Sequence, residues 1–408
     1  MFGKNTVTNL ILAVVCLFHP SFLLASGEVT PALPANESIL RKLKDLKPNH
    51  GVSLGKAVVH GDFNDTAREF NLHKSGPMGR DFSIKMVWAP DRGRALYCGA
   101  NHGVPHRLND VWEFDLNSFS WILLYAPDKN RDYIGLGKDF SDVRFENGVL
   151  LTKRGGPAVI GHTWWGLSYD TKQKCMLFMN TWVTNLKKSV EQLGKDPSEL
   201  YLGPPLWSFD PEKKKWKMHA LPKPFPVSPF GGLLEYIPEL NGTIWHTNNW
   251  QMQATWLLEN DLKKWRNLNA NKGGDFAKNA AEPEQVGYYD PKRKIIIAHR
   301  HKATSHYDPI ENAWKKFVDA EKDSLDVPFG HDAYAPMVYD PQNGTGLLME
   351  LRTRVLWSYD PDSRKWARLE PKGDPVPEGI KPLIYFDPIQ NVLVYIQGTN
   401  VWAYRPKN

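Results

Sequence analysis

Six times the chain carries a short apolar run that stops at a corner, most often Asp-Pro, and then resumes. The runs fall at 86–91, 167–170, 234–238, 287–291, 337–341 and 384–388. Each is followed by a second run, at 94–98, 175–178, 243–245, 294–298, 346–349 and 391–396. Runs this short suit strands rather than helices. Asp-Pro marks a hairpin corner because the Asp side chain accepts from nearby backbone N–H groups while Pro presets its own φ. A third run carries an aromatic residue just ahead of the next Asp, and a fourth begins at a tryptophan. In four copies the two tryptophans stand nine residues apart: Trp112 and Trp121, Trp207 and Trp216, Trp256 and Trp265, Trp357 and Trp366. Another copy runs from His306-Tyr307-Asp308-Pro309 to Trp314, and a truncated one spans Trp402 to Pro406.

Equivalent positions Trp207, Trp256, Ser305, Trp357 and Trp402 recur at intervals of 49, 49, 52 and 45 residues. A repeat of that length built from short strands predicts a β-propeller blade. Residues 78–408 therefore read as one all-β domain of six four-stranded blades. Seven blades is the rival count, if 128–160 hides a degenerate blade. That stretch holds Gly135, Gly137, Gly155, Gly156 and Pro157 but no aromatic-Asp-Pro copy, so a long loop over one face is the expectation. The last unit stops after its third strand. An open sheet edge is a liability that a ring can remove by borrowing a strand from the other terminus. Residues 52–60 are expected to supply it, from an N-terminal extension (27–77) that also shows helical spacing at 37–46 with Ser38 as cap.

Composition adds three constraints. A 408-residue chain with 41% hydrophobic content can bury a large core, and sixteen tryptophans give the blades broad surfaces to pack on one another. The net charge of +6 is spread along the chain without a Lys/Arg block, which argues against a nucleic-acid partner. Residues 1–26 read as an export signal. Lys4 precedes an apolar stretch at 10–24 interrupted by His19-Pro20-Ser21, and Ala25-Ser26 offers a cleavage site. The stretch is short and Pro-broken for a membrane span. The mature chain is thus expected to be secreted or periplasmic, with no membrane span. Cys98 and Cys175 then remain, at different heights on adjacent blades, and read as free thiols.

On these repeats, from Met78 onward, the chain resembles the secreted kelch-type, galactose-oxidase-like propellers. The likeness is one of architecture, because the usual double glycine after the second strand is replaced here by Gly99-Ala100-Asn101-His102. A copper-radical oxidase would need a Tyr–Cys crosslink and a Tyr-His copper pair, and neither is assignable. In such a fold, the lead-ins to the inner strands and the loops after the second strands share one rim of the central channel. That rim gathers most of the thirteen histidines, and His60, His73 and His219 fall outside it and read as structural.

Two chemistries fit the rim. One is β-elimination on an acidic, uronate-containing extracellular polysaccharide, with Arg300 or Arg352 neutralising the carboxylate, His102 or His162 as base and Tyr334 as acid. Asn101, His106, Trp164, Trp182, Asn249, Trp250 and His331 would bind the glycan, although tryptophans in this fold also serve blade packing. Some propeller-fold polysaccharide lyases are similar in composition and placement. The other chemistry is a divalent metal, the one cofactor considered, held by His299, His301 and His331. A non-catalytic propeller that binds a carbohydrate or a protein is the alternative to both.

Overall fold

The computed structural model describes residues 33–407 apart from 81, 100–106, 132–134, 180–185, 205, 227–231, 249–252, 271–284, 320–325, 332–333 and 380. Within them, six sheets follow the repeats, each with four antiparallel strands, and those of blades 1 and 6 carry a fifth, parallel strand on the outer edge. Blade 1 is Val87–Ala89, Arg94–Tyr97, Val111–Asp115 and Ser120–Tyr125, and blade 2 is Leu167–Asp170, Cys175–Met179, Leu206–Asp210 and Lys215–His219. Blade 3 is Gly232–Ile237, Gly242–Asn248, Gln253–Glu259 and Trp265–Asn267, and blade 4 is Val286–Asp290, Ile295–Arg300, Ala303–Asp308 and Ala313–Asp319. Blade 5 is Met337–Asp340, Thr345–Glu350, Val355–Asp360 and Lys365–Leu369. Blade 6 takes Leu383–Asp387, Val392–Gln397 and Asn400–Arg405 from one end of the chain and His50–Lys56 from the other. Each innermost strand packs on the innermost strand of the next blade, and the sixth returns to the first. The molecule is a closed six-bladed β-propeller.

The corner chemistry explains why these segments form hairpins. Asp170, Asp210, Asp290, Asp308, Asp340 and Asp387 each accept hydrogen bonds from the backbone N–H groups two and three residues on. Two residues after that pair of donors begins, the chain turns through a left-handed position, occupied by Lys174, Lys214, Lys294, Asn312, Gly344 or Asn391. The Asp caps the corner, the left-handed residue returns the chain antiparallel, and the next strand follows in register.

Between blades the packing is aromatic. Trp112, Trp121, Trp207, Trp245, Trp265 and Trp402 are all fully buried. Two adjoining interfaces share one latch. Trp314 of blade 4 donates its indole N–H to Thr255 of blade 3 at 2.9 Å, and His246 lies on its ring with centroids 4.1 Å apart. Trp366 of blade 5 donates to Thr304 of blade 4 at 2.9 Å, with His299 on its ring at 4.6 Å.

Several local expectations change. The first helix is Glu37–Asp45, and its N-cap is Asn36, whose side chain accepts from Ile39 N–H, so Ser38 lies inside the helix. The 52–60 segment divides at Ala57. His50–Lys56 is the outer strand of blade 6, whereas Val58–His60 runs parallel to Ser120–Tyr125 on the edge of blade 1. Within 128–160 lies a hairpin, Val143–Glu146 with Val149–Thr152, and Leu136, Val143, Leu150, Ala158, Val159 and Val190 form a small core of their own beneath it. It is an ordered insertion, and the ring passes directly from blade 1 to blade 2. Cys98 and Cys175 are buried and free.

Candidate functional site

The rim read from the sequence is one end of the channel, and rings join much of it. Phe82, in the lead-in to blade 1, stacks on His162 with centroids 5.0 Å apart and meets Trp164 at 6.4 Å and His331 at 6.1 Å. His162 packs edge-on to Trp164 at 5.0 Å. On the other side His331 lies 4.5 Å from Tyr334, and the guanidinium of Arg352 sits 4.1 Å above the Tyr334 ring. His301 stacks on Phe329 at 4.9 Å, and Phe329 reaches His331 at 6.3 Å. His162, Trp164, His301, His331, Tyr334 and Arg352 are therefore brought together by two residues that the sequence reading passed over, Phe82 and Phe329. Neither has a spacing that separates it from core phenylalanines.

The backbone is strained where it holds this cluster. Phe82 and Trp164 adopt φ of +53° and +43° outside any hairpin, whereas His301, at +48°, opens the two-residue turn between Ile295–Arg300 and Ala303–Asp308. Left-handed backbone in bulky residues persists only where the surroundings over-determine it. Here Trp164 N–H donates to the Phe82 carbonyl at 2.6 Å, and Thr163 N–H donates to Ser83 Oγ at 3.2 Å. His301 and Gly330 exchange backbone hydrogen bonds at 2.9 and 2.7 Å. Glu350 ties the facing loop, accepting from Phe329 N–H at 2.9 Å and from Thr353 Oγ1 at 3.0 Å.

Burial sorts the proposed roles. Arg352 is exposed and Tyr334 half-buried. His162, Trp164 and His331 are 3%, 2% and 6% exposed, so Trp164 backs the mouth instead of offering a bare stacking face. Arg300 is 6% exposed, and its charge acts on His246. The metal reading is corrected by geometry. Both ring nitrogens of His299 are engaged, Nδ1 with Thr304 Oγ1 at 2.9 Å and Nε2 with the Pro328 carbonyl at 3.0 Å. Among the described residues no group of three His, Cys, Asp or Glu side chains is placed to hold a metal ion. Asn101, His102, His106, Trp182, Asn249 and Trp250 lie outside the described residues.

The latch histidines carry a pH signature. Burial holds His246 at about 3 and His299, His219 and His306 at about 4; the charge of Arg300 adds to the effect at His246. Unfolded imidazoles titrate near about 6.5. Between these values the unfolded chain binds protons that the folded chain cannot, so this stabilisation is present above about pH 6.5 and lost as pH falls toward about 4. Asp387 has the opposite sign. Burial raises it to about 6, so its contribution is lost as pH rises through that value. Burial raises Asp170, Glu235 and Asp340 as well, so these carboxyls offset part of the histidine slope. His299→Gln removes one of the imidazoles and should change the dependence of the urea midpoint on pH by about one proton across this window, in the direction of less loss on acidification. A pH dependence left unchanged by the substitution would mean that the His299 imidazole is not buried neutral.

The opposite end of the channel holds a cavity of about 510 Å³. One ring from each blade lines it, at the same place on each inner strand: Trp88, Tyr169, Tyr236, Tyr289, Tyr339 and Phe386. Beyond them stands a second tier from the corners, Pro90, Thr171, Pro238, Pro291, Pro341 and Pro388. At the inner end Lys85 leaves the lead-in to blade 1, which bridges to Ile384 of blade 6, and reaches blade 3. Its ammonium donates to Glu235 at 2.6 Å and to the Leu234 carbonyl at 3.0 Å, and lies 5.6 Å from the Trp165 ring. Trp165 in turn donates to the Gly287 carbonyl of blade 4 at 2.7 Å. These two residues tie the lead-ins to blades 1 and 2 to blades 3, 4 and 6 at the inner end of the cavity.

No protein-family model and no curated protein matches the chain. Among solved structures it is similar to YCF48 bound to D1 peptide, at 14% identity and a TM-score of 0.41, with 93% of this chain and 99% of that chain covered. It is also similar to a chain of the mitotic checkpoint complex, at 11% identity and 0.41 over 82% and 93% of the two chains. TolB from Acinetobacter baumannii matches at 12% identity and 0.40, over 73% of this chain and 55% of that one.

Proposed function

We propose that the chain binds an acidic extracellular glycan at the mouth built by Phe82, His162, His331, Tyr334 and Arg352. The observation that carries this is the Tyr334–Arg352 pair. An exposed guanidinium held above an aromatic ring presents a fixed cation for a carboxylate. The cluster of rings around Phe82 gives that pair a rigid backing. On this proposal residues 1–26 are an export leader.

The contact between His331 and Tyr334 beside Arg352 favours a second reading, β-elimination. Arg352 would neutralise the uronate carboxylate and so acidify the adjacent C–H. An imidazole of the mouth would take that proton as the C–O bond breaks. The Tyr334 hydroxyl would return a proton to the leaving oxygen, and a carbon–carbon double bond remains.

Calorimetric titration of the purified protein with uronate polysaccharides tests binding, and the ultraviolet absorbance of the unsaturated uronate tests cleavage. Arg352→Ala should weaken binding about tenfold or more with an unchanged melting temperature, since the side chain is exposed. Equal affinity for uronate and neutral glycans would remove the acidic-glycan reading. Binding without absorbance change would leave a binding propeller and remove the lyase.

A further inference from the structure

The aromatic cavity on the corner side of the ring lies at the other mouth and has no part in the glycan proposal. Its size falls in the range of small-molecule sites, roughly 300–1,000 Å³. Three features decide what chemistry it accepts.

The first is the wall. Equivalent inner-strand positions of the six blades each supply one ring to the lining, with Trp165 and Tyr385 beside them. Such an arrangement surrounds the space with aromatic surface. No single blade could produce it, and blade packing alone does not require an aromatic at the same inner-strand position six times.

The second is where the polar atoms of those rings are spent. Tyr169 donates its hydroxyl to Asp91 at 2.6 Å, and Tyr289 donates to Glu239. The Tyr236 hydroxyl interacts with Thr171, and that of Tyr339 with Asp290. The Tyr169 and Tyr289 hydroxyls thus each donate to a flanking carboxylate, while Arg293 and Lys294 balance the charge of Asp290 and Glu239. A phenol that donates to a carboxylate becomes more electron-rich, and its face more attractive to a cation. A ligand that needs hydrogen-bond partners finds these hydroxyls already committed.

The third is the inner end. Lys85 and Glu235 pair there at 2.6 Å, their side chains 8% and 15% exposed, so neither charge is left over to repel or attract an ion. The fold already keeps this ammonium near an aromatic face, that of Trp165. The environment is one in which an organic cation would be held by rings.

We propose that this cavity binds a small organic cation carrying a quaternary, methylated ammonium. Such a group has positive charge, an apolar surface and no N–H to satisfy, which matches an electron-rich aromatic wall with its hydroxyls turned to other partners. A primary amine would bring three donors to a wall that has few acceptors to offer. An anion would meet the electron-rich faces of the rings.

The test is calorimetric titration of the full purified chain with choline and, separately, with the neutral analogue in which a tert-butyl group replaces the trimethylammonium. Choline should bind, and the neutral analogue should bind at least about tenfold more weakly, because the two differ in charge but scarcely in shape. Trp88→Leu should weaken choline about tenfold with the melting temperature retained, since Trp88 is partly exposed to the cavity and supplies one wall of it. Should that variant fail to fold, Tyr236→Leu, two blades away, carries the same prediction. Equal affinity for choline and its analogue would overturn the proposal in favour of a merely apolar cavity. A folded protein that binds neither, or choline binding undiminished in both ring variants, would overturn it outright.

Discussion

Asp110→Ala is expected to cost about 3–5 kcal/mol of stability, because it strands a buried guanidinium. Arg80 and Asp110 have side chains that are 0% exposed. Arg80 Nη2 donates to both carboxylate oxygens, at 2.8 and 3.0 Å, and its other contacts are the Gly99 and Pro77 carbonyls and the Tyr97 ring at 5.7 Å. Burial alone would push the guanidinium down, but the Asp110 charge and hydrogen bonds outweigh it and hold it above its ordinary value. Removing Asp110 also takes away the acceptor of the Trp112 indole N–H, bonded at 2.6 Å. Two donor groups, Arg80 Nη2 and Trp112 Nε1, would then lose their carboxylate acceptor. Chemical denaturation of Asp110→Ala and of the double variant Arg80→Met/Asp110→Ala measures this directly. The double variant should be the more stable of the two, since it no longer buries an unpaired charge. If Asp110→Ala alone lost less than about 1 kcal/mol, as an exposed pair would, the buried-pair account would fail. There is a functional side to the same pair. Arg80 sits two residues before Phe82, and the ion pair anchors the lead-in that places Phe82 between His162 and His331.

Much of the ring was legible in the sequence because a propeller states its local rules repeatedly. Each Asp corner is a capped turn whose geometry is settled within five residues, so the hairpins could be placed without tertiary knowledge. The insertion at 128–160 was not legible, since a lone hairpin on a private core has no repeat to be compared with. At the site, clustering of histidines was a sound signal for a face but a poor one for function. His246 and His299 occupy equivalent places beside Thr255 and Thr304 and pack on Trp314 and Trp366. A pattern that recurs from blade to blade is what a structural latch looks like, and that recurrence was available in the sequence. The same holds for the aromatic tier at Trp88, Tyr169, Tyr236, Tyr289, Tyr339 and Phe386. Each lay inside a segment recognised as a strand, yet only the closed ring shows that the six point at one cavity. Phe82 was beyond reach, because its role depends on a left-handed backbone and on partners eighty and more residues away.

Gly51→Val is expected to open the ring. His50–Lys56 closes blade 6 by antiparallel pairing with Asn400–Arg405, and no covalent link joins these two ends of the sheet. A Cβ at position 51 would stand 2.3 Å from Trp402 Cζ2 and 2.8 Å from the Asp374 carbonyl. Trp402 cannot yield easily. It is fully buried, and its indole N–H donates to that same Asp374 carbonyl at 3.0 Å. Overpacking of this kind costs about 1–3 kcal/mol where the neighbours can shift. Here the part most able to shift is the closing strand itself, and its departure would leave the 400–405 edge unpaired. It would also strain the contacts around it, Tyr404 hydroxyl to Asn49 at 2.8 Å and Arg405 to the Leu46 carbonyl at 2.9 Å. Gly55→Ala is the matched control. Gly55 has φ +96° but no atom within 4 Å of its Cβ position, so it should show backbone strain without displacement of the strand. Limited proteolysis and thermal melting separate the two outcomes. Gly51→Val should expose the chain before residue 57 to cleavage and melt well below Gly55→Ala, and Trp402→Leu in the same chain should restore part of the loss by making room. A Gly51→Val protein as protected and as stable as the parent would mean that the first and last strands are not what holds the ring shut.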